Sequence, residues 1–195
     1  MTPLNFVLVG VGGQGILLAS DLLCQAGMAV GYDVKKTDVH GMAQRGGSVV
    51  SHVRLADRVY SPMVPTGAAD FLLGFEKLEA CRSAGQLRCG GVAVVSDEAI
   101  PTLPLAAPSM RYPDDAALYG VLRARAAELT VVPAALFAAR LGNPRVANLV
   151  LLGGLSRHLD IPPSAWERAI AERVPARFRD INLRAFALGR QASSP

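Results

Sequence analysis

Apolar positions along this chain fall into two rhythms. Short unbroken runs end at glycine or proline, and longer stretches carry apolar residues three and four apart. NFVLVG, FLLGF and GGVAVVSD are of the first kind and predict buried strands. ILLASDLLCQAGMAVG is of the second kind, with Leu17, Leu18, Leu22 and Leu23 on its apolar side. YDVKKTDV and SVVSHVRL predict two further strands, and DRVYS a short antiparallel return after them. EKLEACRSAG and DDAALYGVLRARAAEL predict helices, the second capped by Asp114 or Asp115. TVVPAAL predicts a short strand entering a helix that tolerates Pro133 in its first turn. The proline-rich stretch from Ile100 to Pro113 is expected to cross the surface.

Strands alternating with helices imply an α/β fold: a three-layer α/β/α sandwich on a mostly parallel, Rossmann-like sheet. After Asn143 the strand rhythm stops. NPRVANLVLLGGLSRHL, PPSAWERAIAERVP and DINLRAFALGR each predict a helix. The expected organisation is an α/β domain over 1–142, a C-terminal helical extension of it over 143–190 and a frayed tail over 191–195. That extension either wraps the sheet or forms a docking arm, with Gly153 and Gly154 allowing close helix contact.

Composition narrows the function classes. Hydrophobic residues are 51% of 195, so a substantial core can form. The net charge of +4 comes without a basic tract interleaved with aromatics, which argues against nucleic acid. No run reaches the roughly 20 apolar residues of a membrane span, and the start lacks a basic leader. Cys24, Cys81 and Cys89 form no CxxC and are too few for a thiolate zinc site or an iron–sulfur cluster. Cytoplasmic residence is the expectation.

Two glycine-rich segments carry the candidate chemistry. In GVGGQG, Gly10, Gly12 and Gly15 satisfy GxGxxG between a strand and a helix, with Gly13 and Gln14 inside the turn. Such a turn lets an anion approach backbone N–H groups at a helix start. Asp38 lies near where a dinucleotide fold places its ribose acid, but Lys35 and Lys36 precede it. Close helix–sheet packing or a subunit contact explains the same glycines without a ligand. The second segment, HGMAQRGGS, offers His40, Gln44, Arg45, Gly46, Gly47 and Ser48 as ligand or interface candidates. Arg45 could clamp a carboxylate or phosphate with its planar fork. The alternative is a polar interface loop. His52 fits an interior or interface hydrogen bond and His158 a structural role; no residue is assigned a catalytic role.

Three blocks, GVGGQGILLAS, DVKKTDVHGMAQRGGSVVSHVR with VYSPMVP, and GNPRVANLVLLGGLSR, point one way together. From about Phe6 to Arg190 the chain resembles the beta subunits of indolepyruvate:ferredoxin oxidoreductases. More broadly it resembles the gamma domain of pyruvate and 2-ketoisovalerate ferredoxin oxidoreductases. The resemblance implies an accessory subunit, inactive alone and without a bound cofactor. A large alpha subunit would carry thiamine diphosphate (TPP), Mg2+ and [4Fe-4S] clusters. The complex would convert an aryl 2-oxoacid and coenzyme A to acyl-CoA, CO2 and reduced ferredoxin, with coenzyme A within reach of this chain. No GDG motif for a TPP–magnesium site is present. Self-association of the isolated chain stays open. The alternatives are an independent nucleotide- or CoA-binding enzyme and a metabolite-sensing module.

Overall fold

In a computed structural model, describing residues 1–40, 46–101 and 111–192, β1 (Leu4–Val11) lies inside a six-stranded sheet. Phe6 and Leu8 point to one face and Val7 and Val9 to the other, all fully buried. A strand buried on both faces reads as a continuous apolar run, which explains NFVLVG.

The sheet order is β2-β3-β1-β4-β5-β6. Here β2 is Asp33–His40, β3 Ser48–Ala56, β4 Ala69–Gly74, β5 Leu87–Ser96 and β6 Ala126–Val132. β1, β4, β5 and β6 pair in parallel, while β3 pairs antiparallel with both β1 and β2. β2 therefore runs in the direction of β1 but one strand away from it. The expected mostly parallel sheet is observed, with β3 inserted as its one reversed strand. The insertion removes Asp38 from any position beside the β1 turn. Asp38 instead accepts from Ser51 Oγ (2.6 Å) and pairs with Lys36 (3.2 Å).

Helices cover the two faces unequally. α1 (Ile16–Ala29), α4 (Ala134–Arg140) and α5 (Ala147–Ser156) share a core with Phe6, Leu8, Phe71, Leu73 and Val94. α6 (Pro163–Arg173) lies on α1, and α7 (Arg179–Gln191) on α5. The opposite face carries α2 (Lys77–Arg82) and α3 (Asp115–Arg123) over Val7, Val9, Leu72 and Val95. α5 is buried from Asn148 through Ser156, with the sheet on one side and α7 on the other. The segment after Asn143 thus supplies a core layer rather than a free arm. Residues 193–195 lie outside the described residues, and α7 continues through Gln191.

Two elements differ from expectation. DRVYS forms no strand: residues 57–60 bend, and Val59 N–H donates to Asp33 (2.7 Å) at the start of β2. The helix predicted through Leu129 stops at Arg123, and Ala126–Val132 becomes β6. Ala, Glu and Leu favour helix locally, but pairing with β5 and burial of Thr130 and Val132 override that weak preference.

α3 gives a direct test of this boundary. Gly120 sits in its interior, and a Cβ there would meet nothing within 4 Å. Gly120→Ala should stabilise the protein by about 0.5–1 kcal/mol. Denaturant unfolding measures it; a destabilised variant would contradict the helical assignment of this stretch.

Candidate functional site

The carboxyl ends of β1, β4, β5 and β6 open onto one edge of the sheet, where open α/β sheets place ligands. A cleft of about 590 Å3 lies there. Its walls are the glycine turn, the segment after β5, and the chain entering α5.

The two candidate segments of the sequence meet at this edge. Gly12 N–H donates to Gly47 O (2.8 Å), and Gly46 N–H donates to Gly12 O (3.4 Å). These bonds extend the β1–β3 ladder beyond its Val11–Ser48 pair. Gly46 has φ 74° and also lines the cleft. His40 ends β2 at the same edge. Gln44 and Arg45 lie outside the described residues, as does the His40 side chain.

Within the turn, each position has its own task. Gly10 packs: a Cβ there would sit 2.6 Å from Gln14 Oε1 and 2.7 Å from Phe75 Cβ. Gly13 (φ 110°) and Gly15 (φ 77°) adopt left-handed backbone that side chains resist. Gly15 also abuts the buried Asn148, whose Nδ2 donates to Gly15 O (3.3 Å). Gln14 stitches three elements together. Its Oε1 accepts from Val11 N–H (2.8 Å), and its Nε2 donates to Phe75 O (2.7 Å) and Glu98 Oε2 (3.0 Å). With those bonds made, Gln14 shapes the turn. Val11 and Gly12 N–H groups are also spoken for, so an anion would meet Gly13, Gly15 and the first turn of α1.

Residues absent from the sequence-level candidates complete the cleft. Arg145 projects from a single 3-10 turn (Pro144–Val146) held by Asn143, whose Oδ1 accepts from Arg145 N–H (3.0 Å). Asn148 stands in the first turn of α5, and Glu98 follows β5. The available signal was GNPRVANLV, where three polar side chains interrupt an apolar run. The described lining thus offers one guanidinium, one carboxylate and backbone N–H groups at the starts of α1, α4 and α5. Such a site can hold a phosphate beside hydroxyl or amino groups. It has no nucleophile paired with a base among the described residues.

Other reactive groups do not gather here. His52 is buried on β3, where its Nδ1 accepts from Val64 N–H (3.4 Å), and burial pushes its imidazole below the ordinary range. This is the interior hydrogen bond expected of it. His158 lies 3.8 Å from Glu128. Burial pushes the Cys24 thiol up to about 12, well away from nucleophilic reactivity. Among the described residues no three His, Cys, Asp or Glu side chains cluster as a metal site. Nor is any described helix long and apolar enough to cross a membrane.

The chain has relatives among known proteins. Indolepyruvate oxidoreductase subunit IorB of Pyrococcus horikoshii is 37% identical over 99% of this chain and 97% of its own length. The gamma subunit of a keto/oxoacid ferredoxin oxidoreductase from Geobacter sulfurreducens shares the fold (TM-score 0.71, 24% identity, 96% of each chain). A 2-oxoglutarate:ferredoxin oxidoreductase from Magnetococcus marinus, solved with 2-oxoglutarate, coenzyme A and succinyl-CoA bound, contains it too. That match has a TM-score of 0.73 at 18% identity and covers all of this chain and 32% of that one. Residues 5–192, which include both glycine segments and the α5 wall of the cleft, match the family model for pyruvate ferredoxin/flavodoxin oxidoreductase, and the chain belongs to that family.

Proposed function

We propose that this chain is the accessory subunit of a 2-oxoacid:ferredoxin oxidoreductase acting on indolepyruvate or another aryl 2-oxoacid. In this reading a large alpha subunit holds TPP, Mg2+ and [4Fe-4S] clusters. The complex oxidatively decarboxylates the 2-oxoacid, passes the acyl group to coenzyme A and the electrons to ferredoxin. The near-full-length similarity to IorB carries the reading.

The contribution of this chain is a binding surface for coenzyme A. Gly13, Gly15 and the start of α1 would receive the diphosphate, and Arg145 would neutralise it from the opposite wall. Glu98 is placed to accept from ribose or amino groups. His40, Gln44, Arg45, Gly46, Gly47 and Ser48 belong to the same proposal, as candidates for contact with the ligand or with the alpha subunit.

Arg145→Ala in the reconstituted complex tests it. Loss of a charge-assisted contact of about 1.5–3 kcal/mol raises the apparent KM for coenzyme A about 10- to 150-fold. The KM for the 2-oxoacid should not move. Equal coenzyme A dependence in variant and wild type would remove the cleft from the proposal. The accessory-subunit reading itself is checked by purification from the native cell, where an iron-containing large subunit must accompany the chain. A chain recovered alone that still binds a nucleotide would favour the independent binding module.

A further inference from the structure

A second groove opens beside the cleft, where the start of α1, the Asn143–Val146 turn and the α6–α7 corner meet. Its volume is about 350 Å3. Leu18, Val146 and Phe178 give it an apolar wall, and Arg145, Arg173 and Asn182 supply its polar atoms. Phe178 is 39% exposed, a large ring left facing water at a corner rather than in the core.

The charge around this wall is one-sided. The lining contains two arginines and no carboxylate. Arg177 stacks over the Phe178 ring, 4.7 Å from its centroid, and Arg179 is exposed beside it. Asp21, the partner of the lining residue Arg173 (2.7 Å), also serves Lys36 (2.5 Å). The exposed acids of the same corner are Glu172 and Asp180, and Asp180 lies 3.9 Å from Arg184. Arg145 and Arg173 thus line an apolar slot that has no carboxylate of its own, with Arg177 and Arg179 beside it.

We propose that this groove docks a segment of the large subunit that presents an aromatic or leucine side chain flanked by Asp or Glu. The inference rests on the accessory-subunit reading and adds the place and chemistry of the contact. An apolar anchor fills the slot, and carboxylates meet the arginine rim. A free anion would use the arginines but leave the apolar wall wet. The location gives the contact a consequence. Arg145 lines both this groove and the glycine-turn cleft. A docked carboxylate would therefore orient the guanidinium that faces the ligand, so that assembly prepares the cleft.

The test uses the full chain with its copurified large subunit. A benzophenone-bearing phenylalanine analogue in place of Phe178 should cross-link, on irradiation, to a large-subunit peptide rich in Asp or Glu. Phe178→Ala and Arg177→Glu, both at exposed positions, should keep the wild-type circular dichroism. Each should weaken assembly about tenfold, and Arg177→Glu should also flatten its salt dependence. A cross-link to a second copy of this chain, a cross-link to a segment without acids, or unchanged affinity in both variants would overturn the docking site while leaving the accessory-subunit reading intact. If the wild-type chain forms no complex with the large subunit, both fall.

Discussion

Gly189→Ala should lower stability by about 3 kcal/mol, one of the largest effects available from a single methyl group in this protein. Gly189 on α7 faces Val150 on α5, and a Cβ there would lie inside the contact shell of the Val150 carbonyl. Gly153 does the same in reverse, against the Phe186 carbonyl. The two helices touch backbone to backbone, so no side chain can swing aside to make room. Nor can α5 retreat. A Cβ on Gly154, on its other side, would stand 3.2 Å from Val132 and 3.5 Å from Val94 of the sheet. For a chain of this length the loss corresponds to a fall of about 6–12 °C in Tm. Calorimetry on the purified chain measures it. A Tm within about a degree of wild type would mean that α7 does not seat on α5 in solution.

Gly15→Ala should damage both stability and the ligand edge, through two separable causes. The left-handed backbone at φ 77° costs a residue with a Cβ about 1–2 kcal/mol. The added carbon also meets the Asn148 amide, which is buried and bonded to Gly15 O. The expected total is about 2–4 kcal/mol of stability. The apparent affinity of the reconstituted complex for coenzyme A should fall at least about tenfold. Adding Asn148→Ala separates the causes. It should relieve the clash, leave the backbone cost, and show a coupling of about 1 kcal/mol in a double-mutant cycle. Additive single effects would place the whole cost in the backbone. Wild-type stability together with unchanged coenzyme A dependence would sink the role given to this turn.

The contrast between Gly10, Gly15, Gly153 and Gly189 shows why glycine motifs are hard to read in one dimension. Gly10 and Gly15 belong to one GxGxxG, yet the first packs beneath Gln14 and Phe75 while the second turns the chain against Asn148. The same motif is compatible with a ligand and with tight packing, and here its glycines both pack and turn the chain. Gln14 makes the point from the other side. As a long polar residue in the turn it reads as a ligand contact, but its amide is consumed by Val11, Phe75 and Glu98.

Much of the architecture was legible along the chain because periodicity is local. The run through Phe6–Val9, the helix over Ile16–Ala29, the cap at Asp114 and the proline start at Pro163 depend only on neighbouring residues, although of the expected apolar side of that first helix Leu22 and Leu23 are buried while Leu17 is left 48% exposed. The resemblance in GVGGQG, HGMAQRGGSVVSHVR and GNPRVANLV likewise needed no coordinates. Tertiary structure alone decided that β3 inserts between β1 and β2, which took Asp38 out of reach of the glycine turn. It decided that Ala126–Val132 is a strand, because β5 offered backbone partners that outweighed helix preference. It also brought Gly12 to Gly47 and Gly15 to Asn148, pairs separated by 35 and 133 positions. Strand order and the walls of a cleft are set by long-range hydrogen bonding and by which faces must be buried together, and neither leaves a periodic trace in the sequence.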